Sequence, residues 1–162
     1  MSDTNLRFVI GADHRGTQAA ELVRDTLNEM GHDARILGGC DDQPCDYPEK
    51  AYMVGHEITS GNADRGVLIC GTGIGMCIAA NKIKGLRAAL VHDELTAQLS
   101  RSHNDANVLC LSADLLGSRL IEKIIKVWTT TPFEGGRHER RINKIKAIEN
   151  GEDPSKCPAN AG

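Results

Sequence analysis

The run Gly66-Val-Leu-Ile-Cys70, continued by Gly71-Thr-Gly-Ile-Gly75, decides the fold of this chain. Apolar runs of this length are typical of a strand that is buried on both faces, as in a parallel sheet. The three glycines that follow permit a tight turn and left-handed backbone conformations. The turn merges into a segment with helical spacing that reaches residue 83. We therefore predict a strand–turn–helix unit, the repeating element of a doubly wound α/β fold.

The same alternation extends outward from this unit in both directions along the chain. Further strands are predicted at 6–12, 34–37, 86–91 and 107–111, and further helices at 17–30, 48–60, 93–102, 114–130 and 137–150. This pattern predicts a three-layer, Rossmann-like α/β fold with five parallel strands in the order 2-1-3-4-5 and an extra C-terminal helix. We expect one domain over residues 1–150 and a polar tail over 151–162.

The bulk composition excludes several classes of partner. The 162 residues carry a net charge of -3, and the pI is about 6.1. This balance argues against nucleic acid and against anionic membrane surfaces as partners. The apolar stretches are too short to span a membrane, and the N-terminus lacks the layout of a signal peptide. We therefore expect a cytoplasmic protein whose six cysteines are mostly buried, reduced thiols.

Two loops carry most of the chemistry, and the predicted topology places them together. In doubly wound sheets, ligands bind beyond the carboxyl ends of the strands at the switch point, here between strands one and three. Asp13 and His14 follow strand one, and Cys70 ends strand three. Amides at the start of the helix near Gly75 favour negative charge, so this loop suits a phosphate or an oxyanion. The alternative is a tight turn without a ligand.

Cys70 is the strongest candidate for a reactive group. The helix-start amides beside it favour a thiolate, which suits a general base or a nucleophile. The alternative, a buried structural cysteine, better fits Cys77 and Cys110. The loop matches neither the P-loop nor the dinucleotide fingerprint, and Met76 follows it where a cysteine phosphatase would need an arginine. The lack of a CxxC pair in the sequence argues against a structural zinc site.

The densest basic cluster lies near the C-terminus. Arg137 and Arg141 are four residues apart and share a helix face, so they suit a phosphate dianion. The alternative is a solvated basic face that pairs with Glu134 or Glu139. His103 ends the fourth helix, where it either complements the helix dipole or acts as a proton shuttle near neutral pH.

Six motifs, in order along the chain, resemble those of a known family. They are Gly11-Ala-Asp-His-Arg-Gly16, Asp46-Tyr-Pro48, Ile69-Cys-Gly-Thr-Gly-Ile-Gly75, Ala79-Ala-Asn-Lys82, Ser102-His-Asn-Asp-Ala-Asn107 and Glu134-Gly-Gly-Arg-His-Glu-Arg-Arg141. Over about residues 6–150 the chain resembles the type B ribose-5-phosphate isomerases, a family that also includes the galactose-6-phosphate isomerase subunits. The resemblance implies a Rossmann-like aldose–ketose isomerase of the pentose phosphate pathway that uses neither metal nor cofactor. It also implies a small-molecule sugar phosphate as substrate and a homodimer, in some members a tetramer, whose active sites are completed by the neighbouring subunit.

The resemblance also assigns roles to residues by motif. Cys70 is the base that removes the C2 proton, giving a cis-enediolate that is reprotonated at C1. Thr72 moves protons between the two oxygens, and the enediolate is stabilised by Asn104 and the amides of Gly71, Gly73 and Gly75. The furanose ring is opened by His103 with Asp13, and Tyr47 lines the pocket. The phosphate is bound by His14, Arg137 and Arg141.

Two positions bear on how far the resemblance extends. Some relatives that lack the cysteine carry a glutamate just after the loop, but Met76 occupies that position here. Asp114 replaces an arginine that many relatives use to bind phosphate, and Arg15, Arg101 or Arg119 could compensate. The substrate therefore stays open between ribose 5-phosphate and a six-carbon aldose 6-phosphate, such as allose or galactose 6-phosphate.

Two functions without isomerase activity also stay open. The first is a protein that binds a sugar phosphate in the same pocket without turnover, which the carboxylate of Asp114 favours. The second is a thiol redox protein that uses Cys70 and Cys77, although a glycine turn and the start of a helix separate them.

Overall fold

The structure is a computed structural model, and it describes residues 5–39 and 44–158. Strands and helices alternate along the described chain as predicted, with ends that differ by a few residues from the predicted ones. The elements are β1 (Arg7–Ala12), α1 (Thr17–Glu29), β2 (Asp33–Ile36), α2 (Tyr47–Thr59), β3 (Arg65–Cys70), α3 (Ile74–Ala80), β4 (Ala88–Leu90), α4 (Glu94–Ser102), β5 (Val108–Ser112), α5 (Ser118–Thr130) and α6 (Arg137–Glu149). A short 3-10 turn, Pro154–Lys156, follows α6.

The five strands form one parallel sheet in the order β2-β1-β3-β5-β4. The predicted α/β fold is confirmed, whereas the predicted order 2-1-3-4-5 is wrong for the last two strands. Every residue of β5 is buried, so β5 suits the interior of the sheet, and it pairs with β3. The three residues of β4 are only partly buried, so this strand lies at the edge.

The two faces of the sheet bury separate sets of side chains, because successive residues of a strand point to opposite sides. One core lies between the sheet and α1, α4 and α5, and the other lies between the sheet and α2 and α3. On β3, Val67 and Ile69 face the first core, whereas Leu68 and Cys70 face the second. Each of the fully buried aliphatic side chains stabilises the fold by roughly 1.5–3 kcal/mol. Cys70 can therefore be reached by a substrate only because it is the last residue of β3.

The parallel sheet has two distinct ends, which matter for the site. We call the end where β1 and β3 finish the carboxyl edge, and the end where β4 and β5 begin the amino edge. At about 3.3 Å per residue, the six residues of β3 separate the two edges by roughly 16 Å. Within the described residues, no helix combines the length and the apolar character needed to cross a bilayer.

Candidate active site

The carboxyl edge brings together the loops that follow β1 and β3. The two strands pair up to Ala12 and Ile69, and the amide of Asp13 donates a hydrogen bond of 3.1 Å to the Ile69 carbonyl. Cys70 is only 5% exposed at the end of β3. Asp13 and Cys70 thus lie on adjacent strand ends, which is the placement that the sequence predicts.

The sulfur of Cys70 is held by the glycine turn that follows it. The amide of Gly73 donates a hydrogen bond of 3.1 Å to Cys70 Sγ. Gly73 reaches this position with a φ of 76°, in the left-handed region that favours glycine. The bond positions the sulfur as an acceptor, the state that a proton-abstracting group needs. It also means that the Gly73 amide serves the sulfur, while the Gly75 amide lies in the first turn of α3, where N–H groups lack partners within the helix.

Ser112 fixes the other side of this loop, although it is not among the residues predicted from the sequence. Its hydroxyl donates a hydrogen bond of 2.6 Å to the Gly71 carbonyl and accepts one of 3.0 Å from the Leu115 amide. The amide of Ala113 donates to the Cys70 carbonyl at 2.9 Å. A polar residue at the end of an apolar strand is a signal for such a role, but the predicted order places β4 between β3 and β5.

Tyr47 and Thr72 lie at the same edge. A Cβ atom added to Gly75 would lie 2.6 Å from the Tyr47 ring, so the ring packs directly against this glycine. The hydroxyl of Thr72 accepts a hydrogen bond of 3.3 Å from the Ile74 amide, and the residue is exposed. His14 is also exposed, in the loop after β1. The structure therefore gathers the predicted residues Asp13, His14, Tyr47, Cys70 and Thr72, with the glycine turn, at one edge.

Asp13 organises its own loop. One of its carboxylate oxygens, Oδ1, accepts hydrogen bonds of 2.9 Å from the Arg15 amide and 3.2 Å from the Gly16 amide. This arrangement is a common turn stabilised by aspartate. The side chain is buried, and its two hydrogen bonds give it a structural role in the loop. Its role in ring opening stays a prediction.

Arg15 and Asp114 form a two-point ion pair over the glycine turn. Arg15 Nη2 lies 2.7 Å from Asp114 Oδ2, and Arg15 Nε lies 3.2 Å from Oδ1. The hydrogen bond and the charge of Asp114 raise the pKa of the Arg15 guanidinium above its usual value. A Cβ atom on Gly71 would lie 3.0 Å from both side chains, so glycine makes room for the pair. Arg101, by contrast, is buried and pairs with Asp105 at the amino edge.

The other predicted group lies at the amino edge. The His103 ring stacks on His138 of α6, with centroids 4.0 Å apart and an interplanar angle of 9°. The amide of Glu134 donates a hydrogen bond of 3.0 Å to the Ser102 carbonyl, which brings the start of α6 beside His103. Arg137 Nε donates a hydrogen bond of 3.4 Å to His138 Nε2. Burial, with neighbouring His103 and Arg137, lowers the pKa of His138 below its ordinary value.

Asn104 confirms that this second group lies at the amino edge. Its carbonyl accepts a hydrogen bond of 3.0 Å from Arg87 Nε, and Arg87 directly precedes β4. The amide of Asn107, which directly precedes β5, donates to the Arg87 carbonyl at 3.1 Å. Asn104 also lines a cavity of about 680 Å³ between β4 and α6. A single chain therefore keeps His103 and Asn104, and with them the arginines of the first turns of α6, at the opposite end of the sheet from Cys70.

Three side chains at the amino edge have the spacing of metal ligands. The ligand atoms of His103, Glu134 and His138 all lie within 4.8 Å of one another. The two imidazole rings are nearly parallel, however, so their in-plane lone pairs run side by side and do not converge on one ion. Arg137 adds a positive charge at the His138 nitrogen. The arrangement is therefore better suited to binding an anion or moving a proton than to holding a cation.

The cysteines fall into distinct environments. Cys70, Cys77, Cys110 and Cys157 are free thiols, whereas Cys45 is disulfide-bonded, so the expectation of reduced thiols is wrong for that residue. A hydrogen bond with Cys110 lowers the pKa of Cys77 to about 7. The same contact and complete burial raise the pKa of Cys110 well above its usual value. The thiol that contacts Cys77 is thus Cys110, which weakens the redox pairing of Cys70 with Cys77.

The chain is similar to known proteins over most of its length. The family described as Ribose/Galactose Isomerase matches residues 8–145. The chain is 39% identical over 143 residues to ribose-5-phosphate isomerase B of Escherichia coli (strain K12), covering 88% of this chain and 96% of that protein. It is also 39% identical over 149 residues to D-erythrulose-4-phosphate isomerase of Pectobacterium atrosepticum, covering 91% and 97% of the two chains. The crystal structure of ribose-5-phosphate isomerase B from Mycoplasma genitalium with bound ribulose-5-phosphate is similar with a TM-score of 0.84 at 41% identity, covering 89% of this chain and 96% of that one.

The chain therefore belongs to the ribose/galactose isomerase family. The prediction that it is an isomerase is confirmed by these relatives. The family match runs from β1 to α6, so it includes both the Cys70 edge and the His103 edge.

Proposed function

We propose that the protein interconverts ribose 5-phosphate and ribulose 5-phosphate through a cis-enediolate, with Cys70 as the base. The observation that carries this proposal is the Cys70 sulfur, which is buried at the carboxyl end of β3 and bonded by the Gly73 amide. The Escherichia coli and Mycoplasma genitalium relatives bear the name of this activity, and the latter binds the ketose product. A cytoplasmic location and a place in pentose phosphate metabolism are parts of the same proposal.

In the proposed reaction, Cys70 takes the C2 proton of the open-chain aldose. The negative charge that develops on the oxygens lies against the glycine turn, where the Gly71 and Gly75 amides are available as donors. Each well-aimed amide of this kind lowers such a barrier by about 2.7–4 kcal/mol. Thr72 is exposed beside the turn and moves a proton between the two oxygens. Reprotonation at C1 by the cysteine completes the ketose, so no external oxidant or reductant is needed.

The active site is completed by a second copy of the chain. Three of the residues assigned to ring opening and phosphate binding, His103, Arg137 and Arg141, lie at the amino edge, and the length of β3 separates that edge from Cys70 of the same chain by roughly 16 Å. Among them, His103 is half-buried, and Arg137 and Arg141 are exposed and four residues apart on α6. A homodimer that apposes the carboxyl edge of one subunit to the amino edge of its partner joins the two groups. This arrangement explains why one chain carries two incomplete halves.

A second candidate substrate is a sugar phosphate of another length. The chain is 39% identical both to the Escherichia coli relative named for a five-carbon substrate and to the Pectobacterium atrosepticum relative named for a four-carbon substrate. In addition, Asp114 places a carboxylate within the carboxyl-edge site. Both observations leave room for an aldose other than ribose 5-phosphate, such as allose or galactose 6-phosphate.

The test is ketose formation from a panel of aldose phosphates of increasing length, with the reverse reaction followed from erythrulose 4-phosphate. We expect the highest kcat/KM with ribose 5-phosphate. A higher kcat/KM with another sugar phosphate would mean that this sugar is the substrate, while the proposed isomerisation would stand. Lack of turnover with every sugar phosphate, together with a ligand-induced rise in Tm, would contradict the isomerase and favour a binding protein.

A further inference from the structure

The Arg15–Asp114 pair lies at the rim of the site and is not explained by the proposed chemistry. Arg15 belongs to the loop after β1, and its own amide is bonded to Asp13 Oδ1 at 2.9 Å. Its side chain packs directly against Gly71, the residue that follows Cys70. The side chains of Arg15 and Asp114 are 56% and 38% exposed. The guanidinium is thus fixed from two directions while it remains accessible to a ligand.

The geometry of the pair leaves one side of the guanidinium free. Arginine has five N–H donors that form two forks, a side fork at Nε and Nη2 and an end fork at Nη1 and Nη2. Asp114 accepts from Nε and Nη2, so it occupies the side fork. Within the described residues, no hydrogen bond engages Nη1 of Arg15. The end fork is therefore open, and its planar pair of donors matches the oxygens of a phosphate.

We propose that Arg15, oriented by Asp114, is a phosphate-binding and specificity-determining residue of the carboxyl-edge site. This inference rests on the proposed function for the identity of the ligand, a sugar phosphate. Arg15 holds the phosphate through its end fork, and Asp114 sets the plane of the guanidinium.

The difference in exposure between Cys70 and Arg15 assigns the phosphate end of the substrate to Arg15. Cys70 is only 5% exposed at the end of β3, so the carbons that react must reach inward to its sulfur. Arg15 lies at the rim, beside Gly71, where the trailing end of an open-chain sugar emerges. The oxyanion at the reacting end already faces the amides of the glycine turn. The glycine turn therefore offers no donor to the phosphate dianion of the substrate at the rim, which is the group that Arg15 can bind.

Asp114 makes the contact selective because its charge partly offsets that of Arg15. A lone exposed arginine attracts any anion, whereas a neutralised pair attracts little at long range. Binding then depends on the directed hydrogen bonds of the end fork, which require an oxyanion group held at a suitable distance from Cys70. The length of the carbon chain between the reacting carbon and the phosphate therefore decides which sugar fits.

The experiment measures two quantities in wild type, Arg15→Ala and Arg15→Lys. These are the KM and kcat for ribose 5-phosphate, and the dissociation constant for inorganic phosphate from its effect on Tm. Arg24→Ala is the matched control, because Arg24 also forms an exposed ion pair, with Asp25 at 2.9 Å, but lies on α1 and not in the loop after β1. We expect Arg15→Ala to raise the KM and the phosphate dissociation constant about tenfold or more, with kcat within about threefold. Arg15→Lys keeps the charge and loses the fork, so its KM and phosphate dissociation constant should lie between those of wild type and Arg15→Ala. Both constants of Arg24→Ala should match those of wild type.

Two results would overturn this role for Arg15. One is a KM and a phosphate dissociation constant for Arg15→Ala within about twofold of wild type. The other is a parallel loss of kcat and Tm, which marks a residue that only supports the loop. The phosphate measurement does not depend on turnover. If wild type isomerises no sugar, a phosphate-induced rise in Tm that Arg15→Ala alone loses still supports the site while the proposed reaction fails.

Discussion

The amide of Gly73 donates a hydrogen bond of 3.1 Å to the sulfur of Cys70. This contact requires the left-handed backbone of Gly73, whose φ is 76°. A Cβ atom there would lie 2.6 Å from the Leu90 side chain and 3.0 Å from the Leu111 backbone. The position of the sulfur therefore depends on a glycine that is tightly enclosed by β4 and β5.

We expect Gly73→Ala to destabilise the fold and to displace the sulfur. The matched control is Gly61→Ala, because Gly61 has the same φ of 76° and nothing within 4 Å of its would-be Cβ. The control should cost about 1–2 kcal/mol for the backbone conformation alone. Gly73→Ala should cost about 1–3 kcal/mol more, since it adds an overpacked methyl group. Urea unfolding measures both, and equal midpoints for the two variants would show that the enclosure has no energetic effect.

Activity should return when two inactive variants are combined. Cys70→Ala and His103→Ala damage opposite edges, so each homodimer has two defective sites. When the two variants are unfolded together and refolded, half of the dimers are mixed, and each mixed dimer has one site with both residues intact. The mixture should recover about one quarter of wild-type turnover, as expected for a shared site in a two-fold dimer. Turnover equal to the average of the two parents would mean that each chain forms its site alone.

Cys77 should be the thiol that reacts most readily near neutral pH. Its pKa of about 7 means that the thiolate, which is the reactive form, is abundant above pH 7 and depleted below it. Its alkylation by iodoacetamide, followed by mass spectrometry, should rise with pH through this range. Cys157, another partly buried free thiol, provides the internal comparison.

Cys110→Ala supplies the control for this assignment. The hydrogen bond with Cys110 is the largest cause of the lowered pKa of Cys77, so its removal should move the alkylation profile to higher pH. An unchanged profile in Cys110→Ala would assign the reactivity of Cys77 to Asn81, whose amide also contacts the sulfur.

The sequence predicts β3 and its glycine turn well because both have strong local signals. A fully apolar run followed by three glycines has few structural alternatives. It predicts the strand order less well, since order depends on which strand tolerates an edge. The three partly buried residues of β4 settle that point in the structure, yet they differ little in hydrophobicity from β5.

The wrong order of the last two strands also explains which site residues could be predicted from the sequence. Asp13 and Cys70 follow strands that are neighbours in both the predicted and the observed order, so their proximity is predicted. Ser112 and the Arg15–Asp114 pair depend on β5 lying beside β3, which the predicted order excludes. The stacking of His103 on His138 joins α4 to α6, and no periodicity in the sequence reports such a contact.

The central claim, that Cys70 abstracts the C2 proton, is tested most directly by proton NMR of ribose 5-phosphate turnover in heavy water. Wild type, Cys70→Ala and the matched control Cys77→Ala are compared at equal concentration, with circular dichroism to establish that all three are folded. We predict that wild type and Cys77→Ala form ketose with deuterium at C1 and wash deuterium into C2 of the aldose. Cys70→Ala should be slower by about 10²–10⁴-fold in both processes, the usual contribution of a general base. Turnover and deuterium exchange by Cys70→Ala within about tenfold of wild type would contradict the account, because another group would then be the base.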